Sequence, residues 1–117
     1  MRRTVLLVDD HDWFRSMFRR VLEADGFEVV GESADGEAAL EAAERLQPEI
    51  VIVDVQLPGL DGFEVTDRLV AAGRDTAVVL ISTRGASAYG IRLAESRACG
   101  FIPKSALSAG AVAALVA

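Results

Sequence analysis

At 117 residues the chain has the length of one domain, enough to bury a single core but not two. Its composition, 51% hydrophobic and 26% charged, excludes a disordered chain, and a net charge of -6 opposes nonspecific attraction to nucleic acid or an anionic membrane. A lone cysteine, Cys99, excludes an internal disulfide and matches no metal-ligand spacing; it is expected as a small buried thiol in a reducing compartment.

Two periodicities alternate along the chain. Val5-Leu6-Leu7-Val8 is a continuous apolar run of the kind found in a strand covered on both faces. Asp9 and Asp10 end it too early for a signal sequence or a membrane span, so a cytoplasmic location is expected. Phe14, Met17, Phe18, Val21 and Leu22 then form a helical apolar stripe, stopped at Asp25-Gly26. Phe27 to Val30 reads as a second strand. Asp35 caps a helix whose apolar face uses Ala39, Leu40, Ala43 and Leu46, and which ends ahead of Pro48.

Ile50 to Val53 is a third buried strand, ending on Asp54. A turn at Pro58-Gly59 leads to a helix from about Asp61 to Ala72, with Asp61 as its cap and Gly73 as its stop. Ala77 to Ile81 is a fourth strand, ending on Ser82 and Thr83. A helix from about Ala88 to Arg97 follows, with Gly90 inside it at a cost of ~1 kcal/mol relative to alanine. Gly100 to Pro103 is a short fifth strand, and Ala109 to Ala117 an alanine-rich final helix. Residues 1–117 thus read as one domain, whether alone or as the N-terminal part of a longer regulator.

This alternation predicts a flavodoxin-like, doubly wound α/β fold: a five-stranded parallel sheet of order 2-1-3-4-5 with helices on both faces. Ligands of such sheets bind outside the carboxyl ends of the strands, where the first and third strands are neighbours. Asp9 and Asp10, Asp54, Ser82 and Thr83, and Lys104 all fall on that edge. Crowded carboxylates repel one another unless a cation neutralises them, and a hard divalent ion that keeps several waters, magnesium, suits so few protein ligands. A carboxylate there can accept a phosphoryl group as an aspartyl phosphate, with the metal, a lysine and a hydroxyl neutralising its oxygens.

Val8-Asp9-Asp10-His11, the stretch from Asp54 to Gly62 (Asp-Val-Gln-Leu-Pro-Gly-Leu-Asp-Gly), Ser82 and Lys104 together resemble the receiver domain of two-component response regulators. Asp9-Asp10-His11 and Val30-Gly31-Glu32 are most similar to receivers of the LuxR/NarL type. The resemblance implies that Asp54 is phosphorylated from a phosphohistidine on a sensor histidine kinase. It further implies that Asp10 and Asp54 contact Mg2+, Asp9 through water, and that the Gln56 backbone carbonyl completes the ligands. Ser82 and Lys104 would bind phosphoryl oxygens, and Phe101 holds the family's aromatic switch position, changing rotamer as Ser82 moves.

Gln56 and Arg84 occupy positions that influence how fast the phosphate is lost, and Thr83 and Arg84 are expected to shield Asp54. DNA would be reached only through an output domain outside this chain, and a homodimer, if one forms, would use the last helices and strand. Such a chain catalyses its own phosphorylation and slow dephosphorylation without being a metabolic enzyme. Because Pro103 precedes Lys104, a cis Lys104-Ser105 bond would cost about 3 kcal/mol, and a trans bond is expected. His11 reads as a surface residue without a role.

Other functions fit less well. A haloacid-dehalogenase-like phosphatase needs an aspartate where Gln56 stands, and a nucleotide or flavin site needs a Gly-rich loop where Asp9-Asp10-His11 presents negative charge. A receiver acting by protein-protein interaction alone is the remaining alternative. One that works without phosphorylation would usually lack a site residue, and none is missing.

Overall fold

The computed structural model describes residues 2–117; Met1 lies outside the described residues. Its strands are β1 (Thr4–Val8), β2 (Glu28–Ser33), β3 (Ile50–Asp54), β4 (Ala77–Ser82) and β5 (Gly100–Pro103). They pair in parallel in the order β2-β1-β3-β4-β5, as the sequence predicts. The helices are α1 (Asp12–Ala24), α2 (Gly36–Leu46), α3 (Gly62–Ala71), α4 (Ile91–Ala94) and α5 (Ala109–Val116).

The apolar runs are continuous because the central strands are covered twice. Val5, Leu7, Ile50, Ile52, Val79 and Ile81 face one core with α1 and α5. Their neighbours in sequence, Leu6, Val8, Val51, Val53, Val78 and Leu80, face a second core with α2 and α3. Each fully buried side chain of this kind stabilises the fold by about 1.5–3 kcal/mol, so the strand ends that carry the polar residues are held by the best-packed part of the molecule. Local chemistry sets the helix starts: Asp35 accepts a hydrogen bond from the Ala38 N–H, and Asp61 one from the Glu64 N–H.

Four expectations change. Strand β2 runs on to Ser33, because Gly31, Glu32 and Ser33 pair with Leu6, Leu7 and Val8 and Glu32 is held by Arg15 and Arg19 from α1. On α1 only Phe14, Phe18 and Leu22 are buried; Met17 and Val21 lie at the edge of the stripe and are exposed. The helix expected over Ala88 to Arg97 is a single turn, Ile91–Ala94, preceded by a 3-10 turn at Ala86–Ala88. Gly90 separates the two at φ +53, a left-handed conformation that a helix interior does not admit. Cys99 is exposed, not buried, since it precedes β5 at the sheet's edge. The Lys104-Ser105 bond is trans, as are all peptide bonds among the described residues.

Candidate functional site

Asp9 follows β1 and Asp54 ends β3, and pairing of these neighbouring strands brings two buried carboxylates together. Asp9 Oδ1 accepts the His11 N–H at 2.8 Å, and Asp54 Oδ1 accepts the Gln56 N–H at 2.9 Å. Lys104, just beyond β5, reaches back between them: its Nζ lies 2.6 Å from Asp9 Oδ2 and 3.0 Å from Asp54 Oδ2. The ring of Phe14 covers the ammonium at 4.2 Å, a cation–π contact in a desolvated setting.

Burial and charge act in opposite directions at these groups. Burial pushes the Asp9 carboxyl up, but Lys104 and the His11 N–H outweigh it and hold Asp9 below the usual carboxylate range. At Asp54 burial prevails over the Gln56 N–H and Lys104, and the carboxyl is raised. Burial disfavours the Lys104 ammonium, yet the two carboxylates more than offset it, so its pKa is raised.

The ends of both strands are tied down. The guanidinium of Arg15 donates to the Asp9 carbonyl and to Glu32. Gly62 at the start of α3 donates its N–H to the Val55 carbonyl at 2.9 Å. Its lack of a side chain is required, because a Cβ there would stand 2.5 Å from the Asp54 carbonyl oxygen and 2.8 Å from the Val55 Cα.

Asp9, Asp10, His11 and Asp54 offer ligand atoms that all lie within 4.8 Å of one another. Asp9 Oδ2 has Lys104 as its one close partner, at 2.6 Å, and accepts no backbone N–H. A buried oxygen short of donors, in a set dominated by carboxylates, fits a hard divalent cation such as Mg2+.

Asp9, Asp10, Asp54 and Lys104 are thus brought together. Ser82 is buried at the end of β4, but its hydroxyl bonds the Tyr89 hydroxyl at 2.5 Å and the Arg84 N–H at 3.1 Å. Gln56 has an exposed side chain and meets the site through its backbone. Phe101, half-buried, lies edge-on to Tyr89. Thr83 and Lys104 line a groove of about 730 Å³ with Trp13, Phe14, Met17 and Ser105. Arg84 is exposed and forms no ion pair among the described residues.

Three further side chains touch the site's residues beyond those the sequence singles out. His11 is exposed but places Nδ1 3.1 Å from Asp9 Oδ1 and 3.2 Å from Asp10 Oδ1, and its adjacency to the acid pair was the available signal. Phe14 belongs to the apolar stripe of α1 yet covers the Lys104 ammonium, and Tyr89 meets Ser82 from a segment without a motif.

A parallel doubly wound sheet with an acidic cluster and a lysine at its carboxyl edge is the arrangement of a flavodoxin-like α/β switch domain. The chain belongs to the response regulator receiver domains, whose family model matches residues 5–115. It is 38% identical over 103 residues to the response regulator GacA of Pseudomonas viridiflava, covering 87% of this chain and 48% of GacA. To BvgA of Bordetella pertussis, by name a virulence-factor transcription regulator, it is 36% identical over 104 residues, covering 89% of this chain and 50% of BvgA. The chain spans about half the length of these curated relatives.

Among solved structures it is similar to the signal receiver domain of NarL from Mycobacterium tuberculosis, with a TM-score of 0.90, 31% identity, and coverage of 98% of this chain and 96% of that one. A LuxR-family two-component response regulator from Aurantimonas sp. SI85-9A1 gives a TM-score of 0.90 at 30% identity, covering 99% of this chain and 86% of that one. Receiver domains act in phosphorylation-based signalling, bind Mg2+ at an acidic pocket and interact with histidine kinases. No helix among the described residues is long and apolar enough to cross a membrane.

Proposed function

We propose that residues 1–117 form one receiver unit in which Asp54 accepts a phosphoryl group from a phosphohistidine of a sensor histidine kinase. The observation that carries this is the Lys104 ammonium set between two buried carboxylates, at 2.6 Å from Asp9 and 3.0 Å from Asp54. Asp10 and Asp54 would hold Mg2+ through their carboxylates, Asp9 through water and Gln56 through its backbone carbonyl. The ion, when bound, neutralises the charge that develops on the transferring group.

The chain's own residues do the rest. The Gln56 N–H and Lys104 hold the Asp54 carboxylate in one orientation, ready to attack phosphorus. One Asp54 oxygen forms the new bond as the bond from phosphorus to the donor nitrogen breaks, and the imidazole leaves with the bonding electron pair and takes up a proton. Lys104 and Ser82 then bind phosphoryl oxygens. The carboxylate form of Asp54 attacks without a base to deprotonate it, and Lys104 at 3.0 Å favours that form.

The groove beside Asp10 and Lys104 supports a protein donor over a small molecule alone. Its rim carries Trp13, 71% exposed, and Met17, 41% exposed, apolar surface suited to a partner's helix. Phe101 responds as the switch, and Thr83 and Arg84 shield the phosphoryl group. Output passes to an attached or partner domain that controls transcription, DNA being contacted only there. A homodimer would use α4, β5 and α5, and the location is cytoplasmic.

The test is incubation with magnesium and acetyl phosphate, or with the phosphoryl mimic beryllofluoride, for wild type and Asp54→Asn. Intact mass and the fluorescence of Trp13, the chain's one tryptophan, are the readouts. Wild type is expected to respond and the variant not; an equal response in both defeats the assignment.

A further inference from the structure

Ser82 is fully buried, so each of its hydrogen bonds is accountable. A serine hydroxyl has one proton and two lone pairs, and here its partners are the Tyr89 hydroxyl at 2.5 Å and the Arg84 N–H at 3.1 Å. Among the described residues no hydrogen bond joins it to Asp54 or Lys104. Tyr89 is itself wedged in place. Its ring meets Phe63 of α3 edge-on at 5.6 Å between centroids and Phe101 of β5 edge-on at 5.9 Å. It belongs to a segment with little regular structure, between the 3-10 turn at Ala86–Ala88 and Gly90 at φ +53. A segment so short and interrupted opens at low cost compared with the strands beneath it.

From this geometry we infer that the Tyr89 hydroxyl is a latch: it holds Ser82 in the resting orientation and must be given up when Ser82 turns to a phosphoryl oxygen on Asp54. The inference rests on the proposed phosphorylation of Asp54 and adds a residue to it. A buried hydroxyl does not surrender one partner without gaining another, so release of Tyr89 and capture of the phosphoryl oxygen are one exchange. Because the Tyr89 ring also packs on Phe101, the exchange carries the state of the site to the outer face of β5. Tyr89 is a positioning residue; it acts on the phosphoryl group only through Ser82.

The test uses the full chain with magnesium and beryllofluoride, Trp13 fluorescence reporting binding. Wild type is compared with Tyr89→Phe, Ser82→Ala and the double variant. Phenylalanine keeps the packing on Phe63 and Phe101 and removes only the latch. Tyr89→Phe is expected to bind beryllofluoride about fivefold more tightly, the factor that one neutral hydrogen bond is worth. In the Ser82→Ala background the same substitution should change nothing, because the partner of the latch is already gone. Tyr89 is also the chain's one tyrosine, so a ring-ζ 13C label gives a single resonance, expected to move when beryllofluoride binds.

Unchanged or weaker binding by Tyr89→Phe overturns the latch and leaves the Asp54 reading standing. So does a gain that survives in Ser82→Ala, or a tyrosine resonance that stays fixed. A wild type that does not respond to beryllofluoride at all, or responds as Asp54→Asn does, defeats the Asp54 reading and the latch with it.

Discussion

Replacing Lys104 by methionine keeps the apolar stem and removes the charge from between Asp9 and Asp54. The Lys104 side chain is 11% exposed and those of its partners 2% and 5%, so solvent does little to screen the loss. Removing one member of a buried ion pair costs about 3–5 kcal/mol. The upper limit at neutral pH is about 4 kcal/mol, the cost of protonating a carboxylate whose ordinary pKa is 3.8. The metal-free variant should therefore lose about 3–4 kcal/mol near pH 7, a large share of the 5–15 kcal/mol that holds a domain together.

The loss depends on pH with a definite sign. Burial already raises Asp54, and without the ammonium its folded pKa rises further above the unfolded 3.8. A carboxyl raised in the folded state weakens the fold above its unfolded pKa and not below it, so the deficit should be small at acid pH and grow toward neutrality. In wild type the raised Lys104 pKa contributes stability that is full below 10.5 and lost as pH climbs through the folded value, a decline the variant should lack. Urea unfolding followed by far-UV circular dichroism, across pH and with or without Mg2+, measures all of this, and Mg2+ should restore much of the deficit. A metal-free variant as stable as wild type at neutral pH, or a deficit that does not vary with pH, would refute the reasoning.

Gly62→Ala should cost about 1–3 kcal/mol, because the atoms its Cβ would strike are the backbone of Asp54 and Val55, which have no room to yield. The same push on Asp54 should weaken beryllofluoride binding, and thermal melts with a Trp13 fluorescence titration check both; an unchanged melting temperature would count against a close fit of α3 on β3. Thr83→Ala and Arg84→Ala should each shorten the lifetime of the phosphorylated state roughly threefold, a change of under about 1 kcal/mol in the barrier. A phosphate-release time course decides it, and unchanged lifetimes would remove the shielding role.

The central strands were legible in the sequence because burial on both faces leaves an unbroken apolar run, and the Asp35 and Asp61 caps because capping is local chemistry. The site acids and Lys104 were legible once the topology placed every strand end on one edge. Features that depend on a distant partner were not. The polar end of β2 becomes strand only because Arg15 and Arg19 of α1 receive Glu32. Exposure of Met17 and Val21 depends on how much of α1 the sheet covers, which helical periodicity does not fix. The segment after β4 has weak helical preference, and Gly90 at positive φ ends any continuous helix. Tyr89 reaches Ser82 across that broken segment, seven residues on, a spacing that belongs to no regular element.

The charge balance ties these residues into one device. Asp9, Asp10 and Asp54 put three carboxyl groups around a single ammonium, and Lys104 is engaged by two of them. Asp9 Oδ2, whose one close partner is that ammonium, lies 2.6 Å from it. Under the proposed function Lys104 would therefore compete with a divalent cation for the same oxygens. A phosphoryl group on Asp54 would bring further negative charge and new acceptor oxygens within reach of Lys104, so the ammonium would gain a partner and Asp9 would be freed to help hold the cation. Competition before transfer would then become cooperation after it, and by linkage whatever the phosphoryl group added to the cation's affinity the cation would add to the phosphoryl group's. Ser82 stands in the same relation to Tyr89 as Lys104 does to Asp9. Both proposed phosphoryl ligands are engaged at rest by internal partners, so under the proposed function loading Asp54 would draw them away together.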